Sequence, residues 1–221
     1  VRGLELAPGM LAVRDGDIAS VPLNSPWREV SWRLRSLDGQ VVDRGRARCK
    51  DEGADDGVTF YLADVCAGGL PAGLADFVWG EDAWCYVEDK TKLVAEAARI
   101  VRPGGIIAFT DWVEGPAGLS AAEAERFLRF MKFPTLQDIG GYRALLEKNG
   151  CEVLEASDTG RFAPHVDLYL QMVDMQLMGD ALRILNYDMK AIEAVAGEMA
   201  FLQTLAHAGK VAQGRFLARR R

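Results

Sequence analysis

From residue 39 onward the apolar positions alternate between a helical spacing and short continuous runs. Val41, Val42 and Ala47 are spaced for a helix over Gly39 to Glu52, and Gly53 is placed to end it. "VTFYLAD", Val58 to Asp64, reads as a short strand. A second buried run covers Phe77 to Trp79. Asp89 can cap the next helix, whose Leu93, Ala97, Ile100 and Val101 repeat at i, i+4, i+7 and i+8. Pro103-Gly104-Gly105 is expected to end that helix, because proline resists continuing it and glycine tolerates a positive φ. "IIAFT", Ile106 to Thr110, is apolar on both faces, as a central parallel strand must be, and is expected to stop at Asp111-Trp112.

The second half continues the alternation. Ser120 and Glu123 form a capping box ahead of Phe127, Leu128 and Met131. Thr135 is expected to open a helix with Leu136, Ile139, Tyr142 and Leu146 inside and Asn149-Gly150 as its stop. "CEVLEAS" is a fourth strand, Val166 to Leu205 is helical and broken near Gly179-Asp180, and "GRFLARR" is a terminal strand. This β-α-β-α succession predicts an α/β fold, a parallel sheet with helices on both faces. Such sheets bind ligands beyond the carboxyl ends of their strands. Asp64, Glu81-Asp82 and Asp111-Trp112 all fall at predicted strand ends.

Composition narrows the function. The 221 residues carry a net charge of −6, so the basic footprint of a nucleic-acid binder is lacking, and Arg219-Arg220-Arg221 reads as a solvated tail. No apolar run approaches the roughly 20 residues of a membrane helix, and the first residues lack the apolar core of a signal peptide. Cys49, Cys66, Cys85 and Cys151 form no C-x-x-C pair and His165 and His207 are the only histidines, which argues against a zinc site. Free thiols in a reduced cytoplasm are the expectation.

The ordered set of helix, "RPGG", apolar strand and acidic-aromatic pair resembles the second half of a class I S-adenosylmethionine-dependent methyltransferase. "VDRGRARCKDEGADDGVTFYLADV" resembles the family's helix and strand ending in an acidic dipeptide, and "LPAGLADFVWGEDAW" its fourth-strand region. "FPTLQDIGGYRALLEKNGCEVLEASDTGRFAPHVDLYL" and "GKVAQGRFLARR" are similar to the close of the sarcosine and dimethylglycine methyltransferases. The resemblance implies a Rossmann-like, mostly parallel sheet with an antiparallel C-terminal strand over residues 37–221. Residues 1–36 do not match: the family's G-x-G-x-G loop is missing, with Gly3, Gly9 and Gly16 scattered, and this segment is expected to be truncated, rearranged or differently read.

The resemblance implies S-adenosylmethionine as cofactor, Asp64 accepting from the adenine amino group with Val65 over the ring, and Glu81 beside the methionine end. The place of the ribose-binding carboxylate falls at Ser36, with Asp38 the nearest acid. Asp82, Trp84, Tyr86, Asp111, Trp112 and His165 are the residues expected near the acceptor. Each has an ordinary structural reading beside it. Asp64 and Asp111 would simply turn the chain, Glu81-Asp82 would cap a helix, and Trp84 and Trp112 would pack in the core. Trp79 inside its strand and the methionines Met172, Met175 and Met178 are read as core, His165 as an acceptor contact or a capping histidine, and Arg126, Arg129 and Lys132 as a solvated helix face.

The expected activity is methyl transfer to a small-molecule acceptor, an amine such as a methylated glycine, without a catalytic triad. A direct displacement on a sulfonium needs alignment and exclusion of water more than a base. The other class that fits is a methyltransferase-like subunit that binds without catalysing, and a hydride-transferring dinucleotide enzyme fits less well because it too needs the glycine loop. Expected partners are the acceptor alone, with a second copy of the chain left open.

Overall fold

The computed structural model describes residues 10–13, 32–36, 39–51, 53, 58–173 and 188–221. Along the chain come β1 (Met10–Val13), β2 (Trp32–Ser36), α1 (Gly39–Asp51), β3 (Val58–Leu62), β4 (Ala75–Glu81) and a 3-10 turn (Trp84–Tyr86). Then follow α2 (Lys90–Ile100), β5 (Val101–Glu114), α3 (Ala121–Met131), β6 (Gln137–Asp138), α4 (Ile139–Lys148) and β7 (Cys151–Asp158). The last elements are α5 (Phe162–Met172), α6 (Met189–His207) and β8 (Val211–Arg220).

Among the described residues these strands form one sheet in the order β3-β2-β1-β4-β5-β8-β7, with β6 beside the end of β5. β1 to β5 run parallel; β8 is antiparallel to both β5 and β7. The predicted mixed sheet with helices on both sides is therefore the observed architecture. Strand order reverses between β1 and β4, since β2 and β3 lie to one side of β1 and β4 and β5 to the other. A crevice opens at such a reversal, outside the carboxyl ends of the strands. The segment that failed to match the resemblance takes part in this sheet: β1 pairs Met10–Val13 with both β2 and β4, and β2 pairs Trp32–Ser36 with β3.

Several local expectations hold. Asp89 caps α2 by accepting from Lys92 N–H, and Ser120 with Glu123 completes the capping box of α3. Asn149 ends α4 and Gly150 follows at φ 76°, the left-handed exit that glycine permits. Others shift. Helix α2 stops at Ile100, and Pro103-Gly104-Gly105 lies inside β5, where the pairing with β4 slips between Ala75 and Phe77. β5 does not stop at Asp111-Trp112 but runs to Glu114, because β8 pairs with it along that whole length. α4 is capped by Asp138, whose carboxylate accepts from Gly141 N–H, rather than opened by Thr135. The predicted break at Gly179-Asp180 and the residues Met175 and Met178 lie outside the described residues, while Met172 is exposed rather than core.

Alternation along β5 divides the interior. Ile107, Phe109 and Val113 join Val78, Leu93, Val94, Trp84, Tyr142, Leu146 and Phe216 in one buried cluster. Trp112, on the opposite face, packs against a second cluster of Phe127, Phe162, Val166, Leu202 and Leu205 from α3, α5 and α6, with Phe133 from the segment that follows α3. Each fully buried aliphatic side chain contributes roughly 1.5–3 kcal/mol. The second cluster is tied at its rim. Lys210 donates to both Glu123 carboxylate oxygens at 2.7 Å, which holds Glu123 down at about 2. Asp167 on α5 accepts from Gln203 (2.6 Å) and contacts His207 Nε2 (2.9 Å) on α6.

Beneath the ends of β4 and β5 sits a buried polar knot. Asp111, fully buried in β5, accepts Cys85 N–H at 2.8 Å through Oδ1 and Tyr142 O–H at 2.6 Å through Oδ2. Lys90, at the start of α2 and also buried, donates through Nζ to Cys85 O at 3.2 Å and to Val87 O. Strand β5, the 3-10 turn, α2 and α4 are thereby locked together. Burial raises the Asp111 carboxyl to about 6, against the lowering effect of the Tyr142 and Cys85 hydrogen bonds and the Lys90 charge. Burial likewise pushes the Lys90 ammonium down, with Asp111 opposing it.

Two predictions follow from this interior. An acid whose folded pKa lies above its unfolded value holds its proton more tightly when folded. Its contribution is complete below the unfolded value of 3.8 and is lost as pH rises through about 6. Denaturant unfolding should show a stability loss of up to ~3 kcal/mol across that window in the parent, and a flattened profile in Asp111→Asn. At Gly80 an added Cβ would lie 2.4 Å from Trp84 Nε1, and Trp84 is stacked on Phe109 at 3.8 Å. Gly80→Ala should therefore cost ~1–3 kcal/mol and alter tryptophan fluorescence, as the indole has no room to retreat without breaking that stack.

Candidate functional site

The carboxyl ends of the parallel strands place the sequence-predicted residues in a row. Ser36 is the last residue of β2, in register with Leu62 at the end of β3. Asp38 lies outside the described residues. Asp64, two residues past β3, is exposed; its Oδ1 accepts Cys66 N–H at 2.8 Å, which makes it the turn-forming residue of the 64–67 loop. Val65 packs against the first core cluster. Glu81 ends β4, half-buried, opposite Thr110 of β5.

Asp82 follows in a left-handed conformation, φ 48°, which is costly for a residue with a side chain and clusters at functional positions. Its N–H donates to Thr110 O at 2.9 Å. Its two carboxylate oxygens accept from Gln213 Nε2 at 3.0 and 2.7 Å. The helix-capping reading of Glu81-Asp82 does not hold, because Asp89 caps α2 and the 3-10 turn after Ala83 has no side-chain cap.

The aromatic residues separate. Tyr86 is 42% exposed and meets Phe133 edge-on with centroids 4.9 Å apart. Trp112 is half-buried between Phe133 (5.6 Å) and Phe162 (4.7 Å). Two expectations are corrected. Trp84 is wholly buried in the first core cluster, turned under the sheet end by the 3-10 turn, and offers no face to a ligand. Trp79 is 38% exposed rather than core. Asp111 lies under the site, as a brace and not a ligand group, since both its oxygens serve Cys85 and Tyr142. His165 is exposed in the first turn of α5, and its backbone N–H closes on Arg161 O. Arg126 is not merely solvated: it pairs with Glu198 at 3.0 Å and lies over the Phe201 ring at 4.0 Å.

The fold thus gathers Glu81, Asp82, Tyr86, Trp112, Phe133 and Gln213 about the ends of β4 and β5. Gln213 escaped the sequence reading because its role depends on the register Trp112↔Gln213, which pairs residues a hundred positions apart. Phe133 was equally hidden in an aromatic-rich helix end. A separate groove of about 770 Å³ runs between α2 and α4, lined by Asp89, Lys92, Gln137, Gly141 and Lys148 and by none of the strand-end carboxylates. The exposed Asp64 past β3 and the half-buried Glu81 and Asp82 at the end of β4 give this edge of the sheet hydrogen-bond acceptors, which suit the amino and hydroxyl donors of an adenosine-containing cofactor. Among the described residues no helix is long and apolar enough to cross a membrane.

A family model described as a methyltransferase domain matches residues 28–109. The 27-O-demethylrifamycin SV methyltransferase of Amycolatopsis mediterranei is 32% identical over 130 residues, 58% of this chain and 47% of that one. The dimethylglycine N-methyltransferase of Parasynechococcus marenigrum is 30% identical over 124 residues, 56% of this chain and 44% of that one. The chain thus spans less than half the length of these curated relatives. Phosphoethanolamine N-methyltransferase 2 of Haemonchus contortus, solved with S-adenosyl-L-methionine, superposes with a TM-score of 0.79 at 15% identity, covering 99% of this chain and 50% of that one, which speaks to the fold. With this strand order and these solved neighbours, the chain has the fold of the class I S-adenosylmethionine-dependent methyltransferases, and over residues 28–109 its sequence is similar to a methyltransferase domain.

Proposed function

We propose that this chain carries a methyl group from S-adenosylmethionine to the nitrogen of a small amine, such as a methylated glycine, seated between Asp82, Tyr86 and Trp112. The observation that carries this reading is the placement, about the ends of β4 and β5, of a carboxylate held by Gln213, an exposed Tyr86 and a half-buried Trp112, the last two joined through Phe133. Ser36, Asp64, Val65 and Glu81 would hold the cofactor, which supplies a sulfonium methyl open to direct displacement.

The chain's own residues then have three tasks. Asp64 and Glu81 accept hydrogen bonds from the nucleoside and the amino-acid end. Tyr86 and Trp112 attract the positive charge that grows on nitrogen, worth roughly 0.5–2 kcal/mol for a ring face. Asp82 offsets the same charge, and the aromatic wall of Phe133 and Phe162 excludes water. A neutral amine carries its own lone pair, so no strong base is required. Among the described residues the site offers Glu81 and Asp82 as carboxylates, Tyr86 as a phenol and, in the first turn of α5, the exposed His165, while His207 is engaged by Asp167. An oxygen acceptor is the second reading, favoured by the 27-O-demethylrifamycin SV methyltransferase among the relatives.

Labelled S-adenosylmethionine offered with a panel of glycine-type amines and of alcohols and phenols separates the two. Label should appear on the amines; label on hydroxyl compounds alone would contradict the amine proposal. Tyr86→Leu should raise the amine KM about 2- to 30-fold and leave S-adenosylhomocysteine affinity unchanged. By titration calorimetry, Asp64→Ala should weaken S-adenosylhomocysteine by roughly 1–3 kcal/mol, and unchanged affinity would remove Asp64 from the cofactor site.

A further inference from the structure

We infer that Gln213 is a positioning residue that aims the Asp82 carboxylate at the acceptor, backed by Thr159; this rests on the methyltransferase reading above but not on the acceptor being an amine. The hydrogen bonds around Gln213 have only one consistent polarity. Carboxylate oxygens only accept, so the amide turns its nitrogen to Asp82 and its Oε1 to Thr159, whose hydroxyl donates to it at 3.3 Å while accepting Arg161 N–H at 3.2 Å. The amide nitrogen lies 3.0 and 2.7 Å from the two Asp82 oxygens. The backbone reinforces the link, because Thr159 N–H donates to Gln213 O at 2.9 Å.

The placement gives this chain of bonds a task. Gln213 is directly opposite Trp112 in the β5–β8 ladder, and opposed residues project from the same face of a sheet. The chain starts at Arg161, the residue that precedes α5, and Phe162 at the head of α5 packs against Trp112 at 4.7 Å. One relay thus connects the helix that walls the acceptor side to a carboxylate held in the left-handed region on the neighbouring strand end. The backbone N–H of Asp82 is held by Thr110 O on β5, but both hydrogen bonds to its carboxylate come from Gln213, so without Gln213 the side chain is left to turn. Gln213, reaching from β8, removes that freedom. A misaimed group of this kind costs catalysis out of proportion to its displacement.

The test is a double-mutant cycle on the intact chain, read with whichever acceptor in an amine and alcohol panel the parent protein methylates. Choosing the acceptor this way keeps failure of the amine proposal separate from failure of this one. Gln213→Leu keeps the volume and removes both amide groups. It should lower kcat/KM for the acceptor about tenfold or more, while S-adenosylhomocysteine affinity stays within about twofold and the melting temperature is retained. Asp82→Asn should lower kcat/KM similarly, and the double variant should be no worse than Asp82→Asn alone, because Gln213 acts through Asp82. Thr159→Val should show a smaller loss of the same kind. Parent-like kcat/KM in Gln213→Leu would overturn the inference. So would losses that multiply in the double variant, or a loss accompanied by equal weakening of S-adenosylhomocysteine and of thermal stability. A parent protein that methylates nothing in the panel would overturn it as well, through the reading it rests on.

Discussion

The site depends on one buried carboxylate. Asp111 stands in β5 with no exposure to water, and its two oxygens draw in a backbone N–H from the 3-10 turn and a hydroxyl from α4. Burying a carboxylate without partners would be prohibitive, so those two bonds and the nearby Lys90 charge are what make the arrangement tolerable. In return the arrangement fixes where the chain goes after β4. Cys85 must come down to Asp111, which turns Trp84 under the sheet and leaves Asp82 on one side of the turn and Tyr86 on the other. The groups of the proposed acceptor site are thus aimed by a group buried beneath them.

This explains why β5 is the organising strand. Its odd-numbered positions, Ile107, Phe109, Asp111 and Val113, face the core beneath α2 and α4. On the other face Trp112 meets the aromatic cluster carried by α3, α5 and α6. Partner strand β8 runs antiparallel along Ile106 to Glu114, which extends β5 past its expected stop at Asp111-Trp112 and brings Gln213 to Asp82. The same strand therefore separates a rigid support from an aromatic wall, a division of labour suited to the proposed methyl transfer, which needs alignment more than acid or base.

Much of the fold was legible because it is local. The Asp89 cap, the Ser120-Glu123 box and the Asn149-Gly150 stop are decided by residues within four positions of one another, and the apolar runs of β5 and β8 stand out by hydropathy alone. What misled was tertiary. Thr135 looks like a helix opener, but its hydroxyl is buried without a partner and Asp138 takes the cap. Trp79 and Trp84 exchange the roles that strand position suggests, because a 3-10 turn folds Trp84 inward. The strand-end rule put Asp64, Glu81 and Asp82 at the ends of β3 and β4, where the structure has them, and Trp112 at an end that β5 overruns. It could not show that Asp111 is a brace, nor find Gln213 and Thr159, whose roles exist only once β5, β7 and β8 are paired.

The central claim is that the ends of β2, β3, β4 and β5 border one cleft holding donor and acceptor together. A crystal structure of the chain with S-adenosylhomocysteine tests it most directly. The nucleoside should lie along the ends of β2 and β3, near Ser36 and Asp64, with the sulfur directed toward Glu81 and Asp82 and open space before Tyr86 and Trp112. Ligand seated in the groove between α2 and α4, or no ligand on the strand ends at saturating concentration, would contradict the account.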